Sequence, residues 1–589
     1  MHWHAWFTLA VTLVSLYLLA RETYAPANIM LGAVITLLLV RVITPAQAFA
    51  GFGNSAPITV AALYILARAV DKVGLMQPVL AALLQGTKGR GSLARLTASS
   101  AAASAFLNNT PLIAMMIGPV TDWAERTRQS PSRYLMPLSY AVILGGVVTM
   151  MGTSTNLVVS GLLDAKTGQP MGMFEITPIG LPVAIVGILV LTLTASRLLP
   201  ERRPARTDIS HEAREFSVSM RVLDGGPLAD RTVEEAGLRN LQGVFLVEVE
   251  RESETIAPVA STTVLRGGDR LCFVGRVDQV VDLHAMRGLE SFEQAQLAAF
   301  DTARHTFFEA VVGATSPLLG KTLKEVQFRA RYQAAVLAIH RAGHRINAKL
   351  GDVEIRVGDT LLLLADPGFR ARWRDRTDFL LVSQLGGSAP GVTRKAWFVA
   401  GVLIAVVVVA GSGVLPMLEV SLLATVALVG FGVLTATEAR NAVDLDVILM
   451  VAASFGLGAA MEESGLAGTL AGGLIGAFQG WGTLGVLFGV MLATSMVTEV
   501  VTNNAAAAIV FPIAYATATK VGADPRVFAL VVATMASASF LTPIGYQTNT
   551  MVFGPGGYRF GDFARLGAPL TASVMVVVLL VARFWFGIV

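Results

Sequence analysis

Two short polar segments interrupt apolar stretches of this chain, and their residues follow nearly the same pattern. Met151 to Gly161 reads Met-Gly-Thr-Ser-Thr-Asn-Leu-Val-Val-Ser-Gly, and Gly545 to Gly554 reads Gly-Tyr-Gln-Thr-Asn-Thr-Met-Val-Phe-Gly. Both place a Thr-Asn pair two residues after one glycine and four residues before another. Hydroxyl and amide groups that are buried without partners cost free energy. The fold must therefore give both segments polar partners or a ligand inside apolar surroundings.

A second pair of polar interruptions lies upstream of the first pair. Leu107 to Pro111 reads Leu-Asn-Asn-Thr-Pro, and Val501 to Ala505 reads Val-Thr-Asn-Asn-Ala. Asn109 and Asn503 are about 393 residues apart, as are the two Thr-Asn pairs, although the sequence between these points diverges. The chain therefore contains an internal repeat. Interrupted hydrophobic segments at corresponding positions of two repeats indicate the binding site of a secondary transporter.

The composition is that of a polytopic α-helical membrane protein. Of 589 residues, 54% are hydrophobic and 15% are charged, which is far more apolar than a soluble domain. The net charge is only +4, so nucleic-acid binding has little support. Cys272 is the single cysteine, which excludes an intramolecular disulfide. The sequence has no P-loop, His-Glu-x-x-His motif or nucleotide fingerprint, so we expect neither an enzyme nor a primary pump.

The first part of the chain predicts membrane helices and one hairpin. Apolar runs that are about long enough to span a bilayer core of roughly 30 Å lie near residues 4–20, 28–46 and 55–70. Asp71 to Gln85 is expected to form an amphipathic surface helix. The apolar stretch from Leu96 to Thr121 has basic residues on both sides and is broken at Asn108 to Pro111. If both flanks are cytoplasmic, this stretch is a re-entrant hairpin with the asparagines at its tip; a single spanning helix is the alternative.

The next segments predict a broken helix and a return to the cytoplasm. Residues 134–163 are expected to cross outward as a helix that is broken at Gly152 to Asn156, and residues 176–199 lead back to the basic run at 202–206. An unwound backbone at membrane depth is tolerated only where it faces a cavity, an ion or a buried partner.

A soluble insert follows, with frequent charges and short hydrophobic runs from about Thr207 to Ser388. It contains two similar units, each with a short helical start, a β-rich middle and a Gly-Asp turn, at Gly268-Asp269 and Gly358-Asp359. The predicted domains are a first membrane repeat (1–204), two soluble units (205–299 and 300–390) and a second membrane repeat (391–589).

The second membrane half repeats the order of the first. Residues 484–516 predict a hairpin with Thr502 to Asn504 at its tip, and a helix from Arg526 is broken at Thr542 to Asn549. A last span fills 564–586. The flanks of this hairpin have few basic residues, whereas those of the first are strongly basic. This asymmetry favours an inverted over a parallel repeat.

The residue types at the interruptions suit ions. Asn, Thr and freed carbonyl oxygens are hard, neutral ligands appropriate to Na⁺, and helix N-termini favour anions. We expect one cation site in each half, with an anion between the two tips. Polar residues that cap helices or join them are the alternative, which would be preferred for one motif but not for four paired ones. Glu499, just before the second tip, is either a proton or cation site or a residue near the wet mouth of the hairpin.

The interruptions also resemble those of a known family. Asn108-Asn109-Thr110 and Thr502-Asn503-Asn504 look like the Ser-Asn-Thr tips of the divalent anion:sodium symporter family, the sulfate and dicarboxylate carriers. The segments at Gly152 and Thr542 look like its broken-helix loops. The two soluble units are similar to paired TrkA C-terminal (RCK-C) domains, which a bacterial, cyanobacterial and algal branch often linked to sulfate carries between its membrane halves.

The resemblance implies an inverted-repeat transporter, usually a homodimer, with an elevator-type movement driven by sodium. The residues implied to hold sodium are Asn109, Gly152 and Asn156 in the first half and Asn503, Thr542, Gly545 and Asn549 in the second. The residues implied to face the anion are Asn108, Thr110, Thr155, Thr502, Asn504 and Thr548. Four positions depart from the family pattern: Asn108 replaces a serine, Asn504 replaces a threonine, and Tyr546 and Gln547 replace prolines.

The leading hypothesis is a sodium-coupled symporter of a small divalent oxyanion, sulfate first and a dicarboxylate such as succinate or citrate second. It would lie in a bacterial plasma membrane with the insert in the cytoplasm. A ligand-gated channel controlled by the RCK-C pair is an alternative, although no Thr-Val-Gly-Tyr-Gly-like filter is present. Export of arsenite or another metalloid oxyanion is a third possibility. The RCK-C pair either binds a small-molecule regulator or only assembles the dimer.

Overall fold

The computed structural model describes two groups of helices with two small β-sheets between them in the sequence. The described residues are 3–588 except 22–23, 77–89, 128, 200–215, 239–243, 252–253, 257–258, 276–287, 292–305, 314–315, 342–343, 347–349, 357, 367, 374–377, 380 and 385–394. Among them, six helical segments are long and apolar enough to cross a membrane, which fits the predicted polytopic membrane protein. These segments are Trp3–Arg21, Pro45–Lys72, Thr177–Leu198, Leu445–Glu463, Leu466–Thr498 and Phe560–Phe584.

In the first group, individual helices end or start at the predicted polar interruptions. Local sequence signals mark several ends: Pro26 starts one helix, a Thr44 capping box starts another, and Gly168 ends one with a φ of 69°. The helices are α1 Trp3–Arg21, α2 Pro26–Leu39, α3 Pro45–Phe49, α4 Ser55–Lys72, α5 Arg90–Ser104, α6 Asn109–Arg126, α7 Leu135–Gly146, α8 Ser154–Thr167 and α9 Thr177–Leu198.

The two soluble units have the same topology. The first sheet contains β1 Phe216–Val222, β2 Val244–Arg251, β3 Glu254–Ile256, β4 Arg270–Gly275 and β5 Leu289–Ser291 in the order β3-β2-β4-β1-β5. The second contains β6 Thr306–Val311, β7 Ala334–Arg341, β8 His344–Arg345, β9 Thr360–Ala365 and β10 Leu381–Gln384, in the order β10-β6-β9-β7-β8, with helices α10 Phe328–Tyr332 and α11 Phe369–Trp373. Read from its other edge, this is the order of the first sheet.

An ion pair recurs at the same place in both sheets. The guanidinium of Arg251 contacts Asp269 at 2.7 Å, and that of Arg341 contacts Asp359 at 2.7 Å. Both aspartates, which belong to the predicted Gly-Asp turns, are buried. Each arginine also donates to a backbone carbonyl 13 residues further along the chain. Buried carboxylates need such partners, so the pair explains why both units carry Gly-Asp before a strand.

The second group of helices contains the second tip and the second break. Its helices are α12 Ala396–Gly411, α13 Met417–Gly430, α14 Ala436–Ala442, α15 Leu445–Glu463, α16 Leu466–Phe478, α17 Gly482–Thr498, α18 Asn503–Val521, α19 Pro525–Ser537, α20 Gln547–Phe553 and α21 Phe560–Phe584. The two groups form one apolar core. In it α8 contacts both α18 and α19, and α9 lies along α21. The polar interruptions of the two halves are thereby brought to a common place.

The helix breaks differ from the predicted ones at their edges. The first break spans 147–153, so Ser154, Thr155 and Asn156 already form the first turn of α8 instead of unwound backbone. The second break spans 538–546, so Thr548 and Asn549 lie in α20. Backbone amides that lack intrahelical partners occur in the first turn of a helix, which is why these polar residues are tolerated there.

The predicted surface helix at 71–85 is wrong at its start. Asp71 and Lys72 belong to the end of α4, and residues 73–76 form turns; the remainder, from 77, lies outside the described residues. The reason is that the buried face of α4 includes Val70, near its end, and continues to Val73, the residue that follows the helix. Asp71 and Lys72 therefore remain part of α4.

Candidate functional site

The first tip, at the start of α6, lies against the first break. Asn109 is fully buried, and Ser104 joins its side chain to the carbonyl of Val142. With its amide nitrogen turned toward Ser104, Asn109 also donates to the carbonyls of Val142 and Gly152, each at 3.2 Å. Its oxygen then accepts a hydrogen bond from the Tyr546 hydroxyl at 2.5 Å. The two predicted sodium ligands Asn109 and Gly152 are therefore neighbours.

Asn156 holds the first break in shape. Its amide nitrogen donates to the carbonyls of Gly146 at 3.2 Å and Thr149 at 2.9 Å. Its oxygen is buried and has no hydrogen-bond partner among the described residues. An unpartnered buried amide oxygen beside freed carbonyls is an arrangement that suits a small hard cation such as Na⁺.

The second half reproduces these contacts at the same sequence distances. Asn549 donates to the carbonyls 10 and 7 residues before it, those of Ser539 at 3.0 Å and Thr542 at 3.3 Å, as Asn156 does in the first half. Unlike Asn156, it also accepts a hydrogen bond through its oxygen, from Ser139 at 2.7 Å. The repeat seen in the sequence thus extends to individual hydrogen bonds.

The helix before each tip is tied to the helix before each break. Ser104 bonds the carbonyl 38 residues further along, that of Val142, and Thr498 bonds the carbonyl of Ala536 over the same separation of 38 residues. The hydroxyls of Ser104 and Thr498 also each contact the side chain of the tip asparagine five residues further along the chain, although the second of these contacts is long, at 3.5 Å. Serine and threonine at these positions therefore connect tip and break in both halves.

Contacts between the halves are reciprocal. Thr110 of the first tip donates to Gln547, beside the second break, at 3.1 Å. Asn504, the counterpart of Thr110, pairs with Ser154, the counterpart of Gln547, at 3.1 Å. Thr155 also donates to Asn504, at 3.0 Å. A residue of each half thus makes the same contact with the other half. Such matching contacts are typical of two halves that are related by a two-fold axis.

The remaining predicted residues lie around this junction. Asn108 contacts the Tyr64 hydroxyl of α4, and Thr502 donates to the sulfur of Met450 in α15 at 3.6 Å. Thr548 accepts from Ser139 at 3.0 Å. Asn503 lies within hydrogen-bonding reach of Tyr546. The structure therefore brings all four predicted interruptions together.

Glycine is required at both predicted loop positions. A Cβ on Gly152 would lie 2.4 Å from the carbonyl oxygen of Gly146, which is backbone and cannot move aside easily. A Cβ on Gly545 would lie 2.1 Å from the Ser539 hydroxyl and 2.9 Å from the carbonyl oxygen of Thr498. Close backbone approach is a common reason for glycine, and here it lets each break press against the helix beside it.

Glu499 is part of the second break. Its carboxylate accepts hydrogen bonds from the backbone amides of Phe540 at 2.8 Å, Leu541 at 2.9 Å and Thr542 at 2.9 Å. The residue is 7% exposed, which does not fit the wet hairpin mouth that was its alternative position. The second break therefore has a fixed carboxylate, whereas the corresponding position in the first half is Ala105.

Several functional contacts could not be read from the sequence. Tyr64, Ser139 and Ser104 stand in helices without a distinguishing motif, and only the packing brings them to the interruptions. Tyr546 did carry a signal, since it departs from the proline expected by resemblance. Among the described residues, no group of three or more His, Cys, Asp and Glu side chains is placed to hold a metal ion.

Comparison with known proteins gives the family. Residues 16–533 match the family model described as citrate transporter, and residues 501–589 match the sodium:sulfate symporter transmembrane region. A Chlamydomonas reinhardtii protein named for the response to sulfur deprivation is 36% identical over 95% of this chain and 98% of its own length.

Two further relatives cover almost the whole chain. An uncharacterized transporter of Synechocystis is 33% identical over 99% of this chain and 97% of its own length. Sodium/sulfate cotransporter 2 of Chlamydomonas reinhardtii is 24% identical over 98% of this chain and 89% of its own length. The chain therefore belongs to the citrate transporter family, and it is an integral membrane transporter and not an enzyme.

Proposed function

We propose that this protein is a sodium-coupled symporter of a small divalent oxyanion of the sulfate class. The observation that carries the proposal is the meeting of four polar interruptions, two from each half, deep in the apolar core. The side chains that make polar contacts there, with one another or with the backbone, carry amides, hydroxyls, one thioether and one carboxylate. A divalent anion at this junction would therefore meet hydrogen-bond donors but no side-chain cation in these contacts.

Such a site requires positive charge from another source. Helices of 18, 14 and 19 residues begin at Asn109, Ser154 and Asn503, and their N-termini supply partial positive charge. Partial charges do not neutralise two full negative charges in a medium of low dielectric constant. Co-bound sodium ions at Asn109, Gly152 and Asn156, and at Asn503, Thr542 and Gly545, would do so. Anion binding would then depend on sodium, and this dependence is the coupling.

The architecture that we propose is an inverted repeat with two re-entrant hairpins. The reciprocal contacts of Thr110 and Asn504 support a two-fold relation between the halves. The excess of basic residues around the first hairpin over the second supports opposite orientations in the membrane. We further propose a homodimer with elevator-type movement in a bacterial plasma membrane, with the insert in the cytoplasm.

The insert is proposed to be a pair of RCK-C domains within 205–299 and 300–390. The identical strand order of the two sheets and the repeated Arg–Asp pairs support a duplicated unit. Its role is either to bind a regulatory small molecule or to assemble the dimer. A pair of RCK-C domains also fits a ligand-gated channel. Membership of a transporter family favours a carrier instead.

Uptake into proteoliposomes tests the proposed function. Purified protein should accumulate labelled sulfate when sodium is higher outside than inside, and dissipation of the sodium gradient should abolish accumulation. Potassium replaces sodium in the control. Accumulation that follows a proton gradient and ignores sodium would contradict the coupling, and absence of sulfate uptake under every gradient would contradict the substrate.

A dicarboxylate is the second candidate substrate, because the family model over residues 16–533 is described as a citrate transporter. Competition distinguishes the two candidates. Unlabelled selenate should reduce labelled sulfate uptake, whereas succinate and citrate at the same concentration should not. The opposite order would make the dicarboxylate the substrate, and competition by arsenite alone would point to metalloid transport.

A further inference from the structure

Tyr546 belongs to one interruption and contacts the other three. It is the N-cap of α20 at the end of the second break, and it is 8% exposed. Its hydroxyl lies 2.5 Å from the Asn109 amide of the first tip and 3.2 Å from the Thr153 hydroxyl of the first break. Asn503 of the second tip faces the same hydroxyl. One phenol oxygen therefore lies where all four segments meet.

Tyr546 and Thr153 are counterparts in the repeat, being 393 residues apart. Thr153 is the N-cap of α8, and its backbone has nearly the same conformation, with φ −144° and ψ 146° against φ −141° and ψ 135° for Tyr546. Equivalent positions that touch one another lie on or near a two-fold axis. At this axis the first half has the small side chain of Thr153, and the second half has the larger phenol of Tyr546. The two halves therefore differ at this point, although their other contacts match.

We propose that Tyr546 is a specificity-determining residue of the anion site. When a sodium ion occupies the Asn109 oxygen that otherwise accepts from Tyr546, the hydroxyl donates its proton to one oxygen of a tetrahedral oxyanion instead. The ring leaves too little length at the axis for an extended dicarboxylate. This inference rests on the proposed function, since it assigns selectivity within the same site.

The chemistry of sulfate supports this role. A fully ionised tetrahedral oxyanion only accepts hydrogen bonds, so its site must supply donors. Four residues meet at the axis, and among them only Tyr546 has an aromatic ring. The other three, Thr153, Asn109 and Asn503, have short side chains. Gly545 directly before it has no room for a Cβ, so the segment that carries the ring is held close to its surroundings. A rigid ring at the axis excludes longer ligands by its volume.

Two substitutions separate the hydroxyl from the ring. Tyr546→Phe retains the ring and removes the donor, so the KM for sulfate should rise roughly 10- to 100-fold, as expected when a charged partner loses one hydrogen bond. Tyr546→Ser retains a hydroxyl and removes the ring, so succinate should begin to compete with sulfate. Tyr515→Phe, in α18 away from the junction, is the matched control and should leave uptake unchanged.

The readouts are the KM for sulfate, the KM for sodium, competition by succinate, and the rise in melting temperature of purified protein with added sulfate. The inference is supported if Tyr546→Phe raises the sulfate KM with an unchanged sodium KM, and Tyr546→Ser admits succinate. It is overturned if both variants fold and retain wild-type KM and selectivity. It is also overturned if Tyr546→Phe raises the sodium KM alone, since the residue would then only position the cation site.

Failure of the proposed function gives a different pattern. Wild-type protein would then neither accumulate sulfate nor be stabilised by it, and both proposals would fall together. Wild-type uptake and stabilisation with unaffected variants would remove the role of Tyr546 alone. A Tyr546→Ser variant that does not fold leaves Tyr546→Phe as the deciding variant, because that change preserves the ring in the core.

Discussion

Asn156 and Asn549 use the two ends of their amides differently. The amide nitrogen of each donates to backbone carbonyls at its helix break. The oxygen of Asn549 accepts a hydrogen bond from Ser139, whereas the oxygen of Asn156 is buried with no partner among the described residues. The sequence pattern predicts that Asn156 and Asn549 are equivalent sodium ligands. The contacts instead suggest that the nitrogens stabilise the break, and that the oxygen of Asn156 is the better placed of the two for a cation.

The two tip asparagines give the first prediction at this scale. Asn109→Ala and Asn503→Ala should each reduce sodium-driven uptake roughly 10- to 100-fold, because each leaves buried polar partners unsatisfied at a cost of about 1–3 kcal/mol. Initial uptake rates in proteoliposomes measure the loss. Asn28→Ala, at an exposed position of α2, is the control for membrane insertion. Normal uptake by either tip variant would remove that asparagine from the cation sites.

Glu499 gives the second prediction. Its two oxygens accept three backbone amides, and a glutamine has only one oxygen, so Glu499→Gln should leave at least one buried amide unpartnered. We expect a lower melting temperature of the purified protein and a higher KM for sodium, because the second break also loses its fixed negative charge. The exposed Glu419→Gln in α13 serves for comparison. Unchanged stability and sodium KM would show that the carboxylate is dispensable.

At the scale of elements, the breaks are held by close packing as well as by hydrogen bonds. Each break lies between a helix that ends early and a helix that starts with polar residues: α7 and α8 in the first half, α19 and α20 in the second. The freed backbone groups are bonded by Asn156, Asn549 and Glu499. The breaks are therefore defined structures with their own partners.

Gly152 tests this packing. Gly152→Ala places a Cβ 2.4 Å from the Gly146 carbonyl oxygen, and such overpacking typically costs about 1–3 kcal/mol. The melting temperature should fall by several degrees, and uptake should fall with it because the break would shift away from Asn109. Gly473→Ala in α16 has nothing within 4 Å of the added Cβ and should have no effect. Equal behaviour of the two variants would mean that the first break can relax.

At the scale of the whole molecule, the reciprocal contacts concern the relation between the halves. A two-fold relation accounts for the exchange of Thr110 and Asn504 contacts, and for the meeting of Thr153 with Tyr546. Charge distribution adds the orientation, because basic residues concentrate around the first hairpin. Together these features predict that corresponding loops of the two halves lie on opposite sides of the membrane.

Cysteine labelling checks this orientation. Cys272 is the only cysteine, so Cys272→Ser gives a background without thiols. In that background Thr127→Cys, after α6, should react with a membrane-impermeant maleimide only in opened cells, whereas Ala523→Cys, after α18, should react in intact cells. Labelling of both from the same side would contradict an inverted repeat. Transport by the thiol-free protein is the control for its fold.

Much of the fold could be predicted because its signals are local. Hydrophobic runs marked the membrane helices, polar residues marked the interruptions to within a few positions, and the Gly-Asp turns marked two similar soluble units. The edges of the breaks were less accurate, since Ser154 and Gln547 already begin helices. Helix starts tolerate polar residues as readily as unwound backbone does, and the two cannot be told apart by composition.

By itself the sequence determined that this is a membrane protein of many helices, and it predicted a repeat with four paired polar breaks and a soluble insert, because hydropathy and residue patterns are properties of short stretches. Only the tertiary structure decided which break faces which, that Ser139 reaches Asn549, that Glu499 fills the second break and that Tyr546 lies at the axis. Several of these contacts join residues about 400 positions apart. They depend on the packing of all the helices between them, which no local pattern encodes.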